Sequence, residues 1–253
     1  MIDAQQVVDL ALAEARRLGG ADETIVLVTD RVDAALRWAN NTMTTNGEAT
    51  RRSTTVISIV RQGDNAHVGS VRSSSVDPAV IADLVSASQQ AAAGAPAARD
   101  AAPPLPGGDA PAEWDAAIPG TGAEVFLGVA GELARGFGGS DTLFGYARHI
   151  VETTFVATSG GLRRRFTQPT GSVEINAKRA GASAWVGIST PDFATVPTAS
   201  MLDQLATRLS WARRIIVTES ARKTTGISRR KTGCRASSPG LSSGRCRPEG
   251  ERK

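Results

Sequence analysis

The chain has 253 residues, 41% of them apolar, with a formal charge of +4 and a pI near 9.6. That length and composition are those of a soluble globular protein with ample core, and no run of about 18 apolar residues exists to span a membrane. The basic total suggests a nucleic-acid partner only until the charges are located: residues 220–253 hold ten Lys/Arg against Glu249 and Glu251 (+8), and residues 1–219 hold 19 Lys/Arg against 23 Asp/Glu (−4).

Met1-Ile2-Asp3 opens directly into a helix. Asp3 and Gln6 form a capping-box pair, Val8, Ala11, Leu12, Ala15 and Leu18 make an apolar face, and Gly19-Gly20 end it. This start carries no signal peptide, so a cytoplasmic location is expected. Glu23–Thr29 reads as a buried strand, Asp30-Arg31 as a turn, and Val32–Ala39 as the antiparallel partner. Asn40-Asn41 then turn the chain into the polar stretch Thr42–Thr50, with a further turn at Gly47.

From Arg51 to Ser75 the pattern is a β-hairpin. Val56, Ile57, Ile59 and Val60 form the first arm, Gln62-Gly63-Asp64-Asn65 the turn, and Ala66, Val68 and Val71 the return. Asp77-Pro78 supplies an N-cap and a first-turn proline for a helix with Ile81, Leu84, Val85 and Ser88 at helical spacing.

Six of the twelve prolines fall between Pro96 and Pro119, which reads as an extended linker with Trp114 as an aromatic anchor docked on a domain. A helix over Gly122–Ala134 follows, with Val125, Phe126, Val129 and Leu133 on one face. Gly128, Gly131, Gly136, Gly138 and Gly139 match neither phosphate-loop spacing, so close packing explains them better. Asp141–His149, Val151–Thr158 and Leu162–Thr167 read as strands, with a tight turn at Ser159-Gly160-Gly161 and a solvated face at Arg163-Arg164-Arg165 before a polar turn. Gly171–Arg179 and Ala184–Ser189 form a second hairpin about Ala180-Gly181-Ala182. Thr198 is the candidate N-cap of a last helix with Met201, Leu202, Leu205, Leu209 and Ala212 on one face.

The expected class is α+β: two helix–antiparallel-sheet–helix units, 1–93 and 120–217, joined by a Pro/Ala-rich linker at 94–119. The units share a grammar that suggests a pseudo-repeat, setting His67–Ser70 beside Trp185–Ile188 and Asn46-Gly47 beside Gly160-Gly161. Residues 218–253 form a basic tail with too few apolar side chains to fold. Three readings of it stay open: a phosphate-binding arm, an ordinary disordered terminus, or aberrant out-of-frame sequence, the last favoured because Ile215-Ile216-Val217 resembles a strand start that is then abandoned.

Chemistry is sparse. His149 lacks a second histidine one turn away, His67 stands alone, and Cys234 and Cys246 sit in the tail without histidine partners. No GxSxG is present. The residues nominate no catalytic, cofactor-binding or metal-binding position.

The succession in the first unit resembles the N-terminal part of the TldD/PmbA family, cytoplasmic peptidase subunits also called modulators of DNA gyrase. The resemblance rests on the Ala15–Asp22 helix end, Leu36–Asn41, Gly47, Val56–Val60, Gly63-Asp64, Val68-Gly69-Ser70 and Asp77-Pro78, and extends more loosely over residues 120–214. It implies a heterodimeric zinc metallopeptidase acting on extended or unfolded peptides, with the zinc held by an HExxxH helix in a later region. No family zinc ligand maps onto this sequence. The expectation is therefore a truncated subunit, closer to the PmbA-like partner without the metal motif and inactive alone. It would contribute enclosure and contacts to a partner peptidase subunit. The alternative is a non-catalytic nucleic-acid-associated protein using the basic tail as its arm.

Overall fold

The first helix, α1 (Ala4–Leu18), starts and stops where local chemistry dictates. The Asp3 N–H donates to Gln6 Oε1 at 3.0 Å, and Gly19, at φ +65°, closes the last turn onto the Ala15 carbonyl. Three strands follow, β1 (Glu23–Ala39), β2 (Thr42–Gln62) and β3 (Asn65–Ser73), then α2 (Ala79–Gly94), whose first N–H bonds to Asp77 Oδ1 at 2.9 Å. After the linker come a 3₁₀ turn (Ala123–Phe126), α3 (Leu127–Phe137), β4 (Thr142–Thr158), β5 (Arg163–Arg179), β6 (Ala182–Ser189) and α4 (Thr198–Thr224). The structure is a computed structural model describing residues 2–224 except Val76, Pro78, Arg99, Ala101 and 103–105, and from 213 to 224 it describes backbone only.

All six strands join one antiparallel sheet in the order β3-β2-β1-β4-β5-β6. That order reads the same from either edge, with Arg31 opposite Glu152 and Val32 opposite Val151 at the seam. Each half runs helix, three strands, helix, and the halves meet edge to edge through β1 and β4. The fold is α+β, and the two sequence units are two halves of one sheet.

Side-chain alternation places the helices. Val26 and Val28 pack with α1 and α2, while Ala34, Leu36 and Trp38 pack with α3 and α4. All five are even-numbered positions of one unbroken strand, so both helix pairs cover the same face. Trp114 completes the α1/α2 core, its ring edge-on to Phe155 at 5.3 Å. The opposite face carries the odd positions of β1 and the even positions of β4, and among the described residues no helix lies on it.

Several expected breaks are absent. Asp30-Arg31 is no turn: β1 runs straight through, because Asp30 is buried against Arg52 across the ladder at 2.5 and 2.6 Å, and Arg31 bonds Asp33 on the other face. Gly47 is no turn either, lying within β2 opposite Ala35; the turn equivalent to Ser159–Gly161 is Asn40-Asn41, both at positive φ, and not Asn46-Gly47. β4 is continuous through Ile150. β5 is continuous through Pro169, since β6 pairs only with Ser172–Arg179 and leaves the proline on an open edge where its missing N–H costs no ladder bond.

Two differences concern α4. The Met201 N–H bonds to the Pro197 carbonyl at 3.0 Å, so Pro197 holds the cap position, and the buried Thr198 hydroxyl makes no hydrogen bond among the described residues. Ile215–Val217 continues the helix and does not begin a strand. α4 extends to Thr224, into the segment read as a tail, while residues 225–253, with Cys234 and Cys246, lie outside the described residues, as does Pro78.

Candidate binding face at the seam of the sheet

The histidines prove to be ties between segments. His149 is buried on the helix face, with Nε2 donating to the Pro191 carbonyl at 3.1 Å and Nδ1 accepting from the Thr121 hydroxyl at 2.7 Å. His67 Nδ1 donates to the Ala95 carbonyl at 2.8 Å, holding the chain after α2 against β3. Among the described residues no three His, Cys, Asp or Glu side chains gather as a metal would require, so the zinc implied by the family resemblance finds no fitting donor set there. Of the arginine triplet, Arg164 is exposed as the alternation implied. Arg163 instead pairs with Asp9 of α1 at 3.0 Å, and Arg165 binds the linker carbonyls of Ala116 and Ala117 at 2.6 and 2.9 Å.

Charge collects instead on the helix-free face, where β1 meets β4. Asp33 accepts from three guanidinium groups: Arg31 at 2.9 and 3.0 Å, Arg51 at 2.9 Å, and Arg148 at 3.0 and 2.6 Å. Arg31 also reaches Glu152 at 3.2 Å. The Asp33 side chain is only 8% exposed, against 63% for Arg51 and 44% for Arg148, so the carboxylate is the hidden hub of an accessible cationic rim. Hydrogen bonding by Arg31, reinforced by Arg148, holds the Asp33 carboxyl below the usual carboxylate range despite its burial.

Beside this hub runs a groove of 560 Å³ whose floor is Ala35, Gly47 and Ala49 and whose walls include Arg37, Arg51 and Arg148. A second depression of 470 Å³ shares Arg51 and adds Arg31, Arg72 and Glu152. At the groove's end Tyr146 donates to Glu174 Oε1 at 2.6 Å, which holds the phenol protonated to higher pH than usual, and Trp185 Nε1 donates to Glu174 Oε2 at 3.3 Å. Both aromatic side chains are exposed. The face therefore offers small residues, exposed aromatics and guanidinium donors.

Sequence reasoning missed this site because it broke β1 at the turn it assigned to Asp30-Arg31. With β1 continuous, the R-V-D-A-A-L-R run of Arg31–Arg37 puts Arg31, Asp33, Ala35 and Arg37 on one face by alternation alone.

No family model and no curated protein matches the sequence. Solved structures do match. TldE from Thermococcus kodakarensis aligns with a TM-score of 0.60 at 12% identity, over 81% of this chain and 47% of that one. A candidate modulator of DNA gyrase from Bacteroides thetaiotaomicron aligns with a TM-score of 0.59 at 14% identity, over 83% of this chain and 50% of that one. A further candidate gyrase modulator, from Thermotoga maritima, gives 0.54 at 11% identity, over 81% and 47%. The chain thus spans about half the length of the solved structures it matches, and over that span it has the fold of TldE and of these gyrase-modulator proteins.

Proposed function

We propose that this chain is a non-catalytic portion of a TldD/PmbA-type peptidase subunit, of the TldE-like kind, serving proteolysis of extended or unfolded peptides. The observation that carries the reading is the fold shared with TldE over 81% of the chain. The helix-free sheet face supports it, since a long face floored by small residues and rimmed with donors can wall a cavity without performing hydrolysis. In this assignment the zinc and the water it activates belong to the catalytic partner subunit. This chain supplies enclosure, orientation of the peptide and subunit contacts.

The test is co-expression with a TldD-type catalytic subunit from the same source, followed by size-exclusion chromatography and a peptidase assay. The expected result is co-elution as a heteromeric complex that cleaves an unstructured peptide in a zinc-dependent way. A catalytic subunit that assembles and cleaves fully without this chain, and never co-elutes with it, would sink the assignment.

A further inference from the structure

We propose that the arginine rim around Asp33 is a carboxylate-recognition site and that the groove beside it selects extended peptides carrying acidic residues. The inference takes the peptide, though not its charge, from the reading above. The charge comes from the site itself. Arg31, Arg37, Arg51, Arg52, Arg72 and Arg148 line the two adjoining depressions, against Asp33, Glu48 and Glu152, a balance of +3, or +2 once Arg52 is set against its own partner Asp30. Glu48 is already engaged by the Ala123 N–H at 3.0 Å.

Three guanidinium groups converging on a single carboxylate repel one another; Asp33 neutralises one of them and Glu152, 3.2 Å from Arg31, a second, so one charge stays uncompensated. A carboxylate from a ligand would compensate it and take up the donors that Arg51, bound to Asp33 through Nη1 alone, still presents to solvent beside the half-exposed Arg148. Arg37, exposed and without an ion-pair partner among the described residues, stands three alternations along β1 from Arg31, about 20 Å at the rise of a strand. The small floor lets a peptide backbone lie close, and period-two alternation of the bound chain would aim every second side chain at the rim. A polyanion fits less well: residues 1–219 carry −4 overall, so the rim is a local positive spot on an acidic body.

The test is fluorescence anisotropy on the full chain with labelled ten-residue peptides alternating Glu and Ala, Gln and Ala, or Lys and Ala, each with a free or amidated C-terminus, beside a ten-nucleotide single-stranded DNA. The Glu peptide should bind at least about tenfold more tightly than its Gln counterpart, and the Lys peptide most weakly. Arg37→Gln, which leaves the Asp33 hub untouched, should weaken the Glu peptide about three- to tenfold. Gly47→Phe should abolish binding by filling the groove, at a strand position where an added Cβ meets nothing within 4 Å, with an unchanged urea midpoint as the check on folding.

Loss of binding on amidation alone would assign the recognised carboxylate to the chain end, whereas indifference to amidation assigns it to the side chains. Equal binding of the Glu and Gln peptides overturns the inference while leaving the peptidase-subunit reading intact, because co-elution with the catalytic subunit tests that separately. Preference for the oligonucleotide, no binding of any peptide, or insensitivity to both variants also overturns it.

Discussion

Asp33 shows how a single side chain can organise a surface. Its carboxylate is nearly hidden, yet the three arginines it holds remain partly in water. Replacing it as Asp33→Asn leaves those like charges without their counter-ion. After allowance for solvent screening, the variant should lose about 1–2 kcal/mol at pH 7, read from urea unfolding midpoints. The pH dependence follows from the direction of the shift. A carboxylate whose native pKa lies below its unfolded value of about 3.9 contributes its full stabilisation above that value and loses it as pH falls through the native pKa. The gap between wild type and Asp33→Asn should therefore be constant from pH 5 to 8 and close as the pH is lowered below about 4. A gap that widens in acid would contradict the ion-pair account.

At the scale of elements, glycines mark where packing is tight and where it is open. A Cβ at Gly69 of β3 would lie 2.2 Å from both the Ala92 backbone nitrogen and the Ser88 carbonyl oxygen of α2. Neither can rotate away, so Gly69→Ala should push α2 off the sheet and cost about 1–3 kcal/mol. Gly47→Ala, in open space on β2, should be neutral or slightly stabilising, about 0.5 kcal/mol, in the same unfolding assay. The contrast separates a glycine needed for helix-on-strand contact from one that shapes a groove. Both ends of α1 and the start of α2 were legible in the sequence because those caps are local: Asp3 with Gln6, Gly19, and Asp77 each act within a turn of their own position, whereas the cap of α4 lies at Pro197 and not at Thr198. Strand lengths were not. Polar residues such as Asp30, Arg31 and Gly47 carry turn signals that cross-strand partners override.

For the whole molecule, the seam decides cooperativity. The α1/α2 core includes Phe155 and Ala157 from the second half and Trp114 from the linker, and β1 has β4 along one edge. Phe155→Ala should cost about 3–5 kcal/mol although it lies outside the first unit, with unfolding still a single transition. A fragment ending at residue 93 would expose both the edge of β1 and the floor of that core, and should show no cooperative urea transition. Independent folding of that fragment would mean the halves are joined but not interdependent.

The sequence by itself determined the α+β class, both caps of α1 and the start of α2, the turns at Gln62–Asn65 and Ser159–Gly161, and the docking role of Trp114, because each depends on neighbours in the chain or on the simple exclusion of an aromatic ring from water. Tertiary structure alone decided that two hairpin units share one sheet, that β1 runs unbroken past its charged middle, and that Arg148 meets Asp33 across 115 residues of chain. Those outcomes rest on ion pairs and strand registers between distant segments. No local pattern encodes them until the two halves of the sheet are brought edge to edge.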